Sequence, residues 1–180
     1  MDRYVAFLRG VNLGSHRRVK NEDLRRCFEE MGFEEVAAFR TSGNVIFATP
    51  KREAEGKLGK RVEAGLAERV GFDIVVFLRS CEELAEIAAR EPFDAKAVAR
   101  SKGKLQVAFY GKKPSAKAKK AVLDLSTDED QLAIEGRELY WLPSSGTSES
   151  KLDWKPVDAA LGAGTMRTMG TVEQIAAKYC

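Results

Sequence analysis

A chain of 180 residues suits one medium domain or two small lobes, and a hydrophobic share of 44% is enough to build a core. Charged residues make up 32%, yet 30 Lys and Arg against 27 Asp and Glu leave a formal charge of only +3. That near-cancellation excludes a chain-wide polycation, so any anion-binding surface has to come from local clustering of basic residues.

Residues 4–8 are a β-rich apolar run and predict a buried strand. Gly10 and Gly14 then predict a loop, which carries the basic cluster Arg17, Arg18 and Lys20. Leu24, Cys27, Phe28 and Met31 recur at helical spacing, with Asn21 as the expected cap and Gly32 as the stop. Residues 33–40 read as a strand, Ser42-Gly43-Asn44 as a turn, and residues 45–48 as the returning arm of a hairpin. Leu58, Val62, Leu66 and Val70 repeat every four residues, so 51–70 is an amphipathic helix ending at Gly71. Residues 72–78 complete a β-α-β-β-α-β lobe.

Ser80-Cys81-Glu82-Glu83 is a capping box, and the helix it opens stops before Pro92. Residues 94–104 read as a linker or short helical turn. The order of elements then repeats. Residues 105–110 are a strand, and 115–125 a lysine-rich helix. Residues 130–134 and 138–142 form a hairpin around Gly136. Residues 150–161 are partly helical, and a box at Thr171-Val172-Glu173-Gln174 opens a last helix. YVAFLRG answers to QVAFYGK at an offset of 102 residues, and GNVIFATP to RELYWLPS at an offset of 94. The reading is an α+β chain of two ferredoxin-like (split βαβ) lobes from an internal βαββαβ duplication. The second lobe is irregular, its last strand being open to replacement. The expected segments are a first lobe over 1–79, a linking helix and linker over 80–103, and a second lobe with a C-terminal helix over 104–180.

This topology places a candidate site. If the first strand runs up, the loop after it and the turn between the second and third strands share the top of the lobe. Arg9, Gly10, Asn12, Gly14, Arg17 and Arg18 then converge with Ser42, Gly43 and Asn44. Glycines let backbone N–H groups approach a ligand, and the first helix adds its positive end. The alternative is that the glycines only shape turns and the arginines are solvated. Neither the Walker A pattern nor G-x-G-x-x-G is present.

Other chemistry is weakly signalled. His16 is the only histidine, in the basic loop, and no Cys/His/carboxylate spacing suggests zinc, so neither a metal nor a cofactor is expected. Asp124, Asp128, Glu129 and Asp130 read as a solvated turn. Two S-x-x-K matches, at Ser101 and Ser148, lack the companion motifs of acyl-enzymes, and Ser150 reads more simply as a helix N-cap. The second basic cluster, from Lys112 to Lys120, reads as a solvated helix face. Cys27, Cys81 and Cys180 are far apart and odd in number, which predicts three reduced thiols and a cytoplasmic setting. No membrane partner is expected.

The motifs LRGVNLG, TSGNVIF, REPF, ELYWLP, SKL and GTMRTMGTV, in this order, resemble the bacterial family known as domain of unknown function 1697. Its usual form opens LLRGINVGG, has SGNVVF in the hairpin, and carries T-x-R-N-W and a T-V pair near the end. Arg9, Gly10, Asn12 and Gly14 match the first motif, and Ser42, Gly43 and Asn44 the second. Ser150 and Lys151 match a third, while Thr165, Arg167, Thr171 and Val172 match the last. Thr168 and Met169 stand where that form has Asn-Trp. The resemblance implies a two-lobed α+β fold and no established activity, and it adds Ser150, Lys151, Thr165 and Arg167 to the candidate ligand-binding residues. Three functional readings follow. The first is binding of a nucleotide, phosphorylated metabolite or RNA at the first lobe. The second is a protein-interaction or assembly module, including a homodimer. The third is an enzyme working without metal or histidine.

Overall fold

The computed structural model describes residues 1–12 and 15–180. By proximity the chain divides into two units, Met1–Glu86 with Ile175–Cys180, and Ile87–Gln174. The boundaries 1–79, 80–103 and 104–180 follow element type instead, and we keep them as a proposal for where each lobe begins and ends.

The first unit runs β1 (Asp2–Arg9), α1 (Asn21–Glu30), β2 (Glu34–Ala38), β3 (Asn44–Thr49), α2 (Glu55–Val70) and β4 (Val75–Ser80). Its sheet is antiparallel throughout, in the order β2-β3-β1-β4. This is the ferredoxin-like arrangement expected, with β1 and β4 paired from Tyr4↔Ser80 to Arg9↔Val75. Leu24, Cys27 and Phe28 of α1 and Leu58, Val62 and Leu66 of α2 are the buried helix positions, at the spacings read from the sequence. They close on Ala6, Leu8, Val45, Phe47 and Leu78 of the sheet. Phe28, Phe33 and Phe47 form an aromatic cluster with ring centroids 4.6–5.8 Å apart. Each fully buried aliphatic residue here stabilises the fold by about 1.5–3 kcal/mol.

Gly71 ends α2 in the left-handed conformation, its N–H bonded to Ala67 O at 3.0 Å. The expected cap of α1 is corrected. Asn21 is the first helical residue, and Lys20, which has no side-chain acceptor, sits at the N-cap.

α3 (Cys81–Ala88) follows the predicted capping box, seen in both directions: Ser80 N–H donates to Glu83 Oε2 at 2.9 Å and Glu83 N–H to Ser80 Oγ at 3.1 Å. The second unit then runs α4 (Ala95–Arg100), β5 (Gln106–Phe109), α5 (Ala116–Leu123), β6 (Asp130–Glu135), β7 (Glu138–Pro143), α6 (Trp154–Leu161) and β8 (Thr165–Thr168), and α7 (Met169–Tyr179) closes the chain. The sheet order β6-β7-β5-β8 repeats that of the first unit, rank for rank. The last strand, left open by the sequence, is present but only four residues long. Val122, Leu132, Ile134, Leu139 and Val157 form the core. Trp141 packs edge-on against Trp154 at 5.0 Å. No helix among the described residues is long and apolar enough to cross a membrane.

Four sequence expectations are overturned. Asp130 is not in a solvated turn: it is buried and accepts from Trp141 Nε1 at 2.8 Å and Ser150 Oγ at 2.7 Å. Ser150 therefore serves that network, and Asp153 caps α6 by accepting from Lys155 N–H at 3.0 Å. The last helix starts earlier than Thr171, where Thr168 Oγ1 accepts from Thr171 N–H at 3.2 Å. Finally, Cys81 and Cys180 form a disulfide, with Cα atoms 5.1 Å apart, while Cys27 is free and buried. Cys81 opens α3, and the residues after α7's Gln174 belong to the same unit, so the fold brings together two cysteines separated by 99 residues. No local spacing could announce that pair.

Candidate functional site

Three loops share one end of the first lobe: residues 10–12 and 15–20 after β1, the 39–43 turn between β2 and β3, and residues 71–74 before β4. The ladder makes this unavoidable, because Phe7 faces Asn44 on one side of β1 and Arg9 faces Val75 on the other. Leu8 N–H donates to Gly43 O at 2.8 Å and fixes the turn against β1.

Asn12 and Asn44 hold this end together. Asn12 has a left-handed φ of 58°. Its amide nitrogen donates to Thr41 O, its amide oxygen accepts from Val19 N–H at 3.1 Å, and its own N–H donates to Arg17 O at 2.6 Å. One side chain thus closes the 12–19 loop and ties it to the hairpin. Asn44, with no exposed surface, donates to Phe39 O at 2.9 Å and Ser42 Oγ at 3.0 Å. Gly43 has φ +74°, and a Cβ there would lie 2.5 Å from Val11 Cγ2 and 3.0 Å from Leu8 Cβ, so no side chain fits.

The arginines are distributed less simply than the sequence suggested. Arg9 leaves β1 exposed. Arg17 lies over the Phe72 ring at 5.3 Å, and its Nη1 is the nearest atom to where a Gly10 Cβ would stand. It therefore turns toward the 71–74 loop rather than the Ser42 turn. Arg18 lines a groove of about 330 Å³ with Asp23, Arg26, Glu30, Arg69 and Phe72. Glu30 is bonded there by Arg69 Nε at 2.7 Å, a hydrogen bond that raises the guanidinium pKa. Gly14 lies outside the described residues. Sequence reading missed Phe72, the platform for Arg17, and Arg40, whose φ of 58° places another guanidinium in the turn region, 5.6 Å from the Phe39 ring. Both looked like ordinary strand residues.

The four candidates from the later motifs belong to the second unit, and three of them are structural there. Ser150 also accepts from Leu152 N–H at 3.1 Å. Arg167 is buried on β8, donates to Thr165 Oγ1 at 2.7 Å and Met166 O at 2.8 Å, and is pushed down to about 10 by burial. Lys151 is exposed. Arg167 pairs in register with Val107 of β5 as Arg79 of β4 pairs with Val5 of β1, so the two lobes keep an arginine at the same place. Nearby, Arg90 Nη1 donates to Glu138 Oε2 and Tyr140 Oη, both at 2.8 Å. Burial pushes the Tyr140 phenol up to about 12, against the opposing pull of Arg90.

No curated protein sequence matches the chain closely enough to count. Among solved structures, it is similar to a conserved bacterial protein, SP0830 from Streptococcus pneumoniae. The two share 22% identity at a TM-score of 0.76, over 98% of this chain and 97% of that one, a likeness that speaks to the fold. A family model, described as a protein of unknown function (DUF1697), matches residues 1–140, which hold the LRGVNLG and TSGNVIF motifs and the first hairpin. The chain belongs to that family.

Proposed function

We propose that the three-loop end of the first lobe binds a phosphate-bearing ligand. The observation that carries this reading is a contrast among arginines. Arg3, Arg25, Arg52, Arg61 and Arg69 of the same lobe each lie beside a carboxylate. Arg17 and Arg18 have no acidic partner among the described residues; Arg17 lies against the 71–74 loop and Arg18 lines the groove beside Phe72. A guanidinium left without a carboxylate at a built concave end suits a bidentate phosphate. The uncapped start of α1 adds N–H groups of the right sign. On this reading Arg17 and Arg18, on the Phe72 side of that end, face the ligand with Gly10 beside them, while Asn12, Gly43 and Asn44 hold the loops and Arg9 and Ser42 are secondary candidates. The groove that Arg18 lines, about 330 Å³, has the size of a small-molecule site. Ser150, Lys151, Thr165 and Arg167 are not carried into the proposal.

The assembly reading is less well supported. β2, an edge of the sheet, carries an irregularity between Glu34 and Ala37, with Glu35 at φ 49°, a feature that discourages strand-to-strand association. The cytoplasm stays the proposed setting. The Cys81–Cys180 bond weighs against it, because disulfides persist chiefly in oxidising compartments.

A thermal-shift series with inorganic phosphate, ATP and a short RNA tests the binding. A ligand at 100 times its dissociation constant stabilises by about 2.7 kcal/mol. Arg17→Ala/Arg18→Ala should remove that shift. An unchanged shift in the double variant, or no shift with any of the three, would sink the reading, and a response to RNA alone would move it to a polymer interface.

A further inference from the structure

The corresponding end of the second lobe differs from the first. There the 110–115 loop, the Gly136 turn and the end of α6 enclose a cavity of about 260 Å³. Tyr110, Ile134, Leu139 and Leu161 form its apolar walls, and Lys112 and Lys113 stand at its rim. Ile134 and Leu139 are buried members of the lobe's core, so the cavity reaches the core rather than skimming the surface. A Cβ at Gly164 would lie 2.7 Å from the Tyr110 ring and 2.9 Å from Phe109 O, so the Tyr110 wall is held in place from behind.

Charge decides the class of occupant. Glu138 is the one acid among the described residues that line the cavity, and its carboxylate is bonded by Arg90 at 2.8 Å; Arg137 lines it too, a third cationic residue beside the two lysines. Lys112 and Lys113 are exposed and have no acidic partner among the described residues. Apolar walls beneath uncompensated ammonium groups fit neither a polyanion, which would leave those walls dry and unmatched, nor a neutral hydrocarbon, which would make no use of the lysines. The volume falls just below the roughly 300 Å³ at which pockets for drug-sized ligands begin.

We infer that this cavity is a second binding site, distinct from the first lobe's loop end, for a small amphipathic anion: a short acyl or aryl chain in the cavity with its carboxylate on Lys112 and Lys113. The inference stands independently of the phosphate reading, because it uses other residues and other chemistry. It also gives these two lysines a task that the solvated-helix reading of their cluster denied them.

The probes are octanoate, octan-1-ol and inorganic phosphate, titrated into the full chain and followed by methyl NMR. Octanoate should give saturable shifts at Ile134 and Leu139, and octan-1-ol should bind at least about tenfold more weakly. Lys112→Ala/Lys113→Ala, at exposed positions that leave the fold intact, should weaken octanoate about tenfold and leave octan-1-ol unchanged. Ala118→Met, which fills the cavity from α5, should remove both. The inference fails if octanoate gives no saturable shift or if octan-1-ol binds equally well. It fails equally if the lysine pair is irrelevant, or if the shifts appear at Val19 and Val70 and vanish with Arg17→Ala/Arg18→Ala, which would place the anion in the first lobe's groove.

Discussion

The two lobes have the same strand order and opposite loop ends. In the first, the end is crowded by side chains that bond the loops to one another, and the cations stand outside that crowd. In the second, Tyr110 N–H still ties the loop to the turn through Arg137 O at 3.1 Å, but an apolar hollow lies beneath two lysines. A sheet order fixes where loops gather; what gathers there is decided by a few residues in each loop, here Asn12 and Gly43 against Tyr110 and Leu139. Shared topology is therefore poor evidence for shared function between the lobes.

The sharpest way to break the comparison is at the glycine that each hairpin turn carries. Gly43→Ala should cost about 3 kcal/mol, combining a left-handed backbone with overpacking against Val11 and Leu8. Gly136→Ala, at φ +62°, meets only the ends of the Glu138 and Arg90 side chains, at 3.3 and 3.8 Å, and should cost about 1 kcal/mol. Equal losses in denaturant melts would show that the two ends are packed alike.

The disulfide belongs to one unit alone. Cys180→Ser, or reduction, should lower stability by about 2–4 kcal/mol in thermal melts that follow each lobe separately. A loss shared equally by both lobes would mean that they unfold as one.

Tyr140 sharpens the second side of the comparison. Its proton is held more tightly in the fold, so its contribution is full below pH 10 and is lost as pH rises from there through about 12. Arg167, depressed to about 10, acts in the opposite sense over an overlapping range, so the measurement is the difference between the wild type and Tyr140→Phe. That difference should shrink by about 2 kcal/mol across the window. A flat difference would refute the assignment.

The smallest effect is expected where binding is proposed. Arg17→Ala/Arg18→Ala should change stability by less than about 1 kcal/mol, chiefly through the lost stack on Phe72. A larger loss in urea melts would mark the pair as structural.

Local signals explain what was legible in the sequence. The spacing of Leu58, Val62 and Leu66, the reciprocal Ser80–Glu83 cap and the Ser42-Gly43-Asn44 turn each act within a few residues, and each appears where the sequence put it. The convergence of the 10–20 loop with the turn followed from strand direction alone. What escaped depended on long separation. Asp130 looked solvated until Trp141 and Ser150 reached it from 11 and 20 residues away. Arg17 could not be oriented without knowing that Phe72 lay beside it. The cavity in the second lobe is a space between elements, and no run of residues encodes it.

The bond between Cys81 and Cys180 also has a topological meaning. It turns the last hundred or so residues into a closed ring hung from the end of β4, with the whole second sheet inside it. A protease that cuts one exposed loop of that ring, such as the Gly111 loop, would leave a nicked molecule of unchanged mass plus one water. The fragments would part only after the disulfide is reduced. Pulled by its two ends, the same molecule would transmit force from Met1 through β1 and β4 directly to Cys180, bypassing the second lobe altogether.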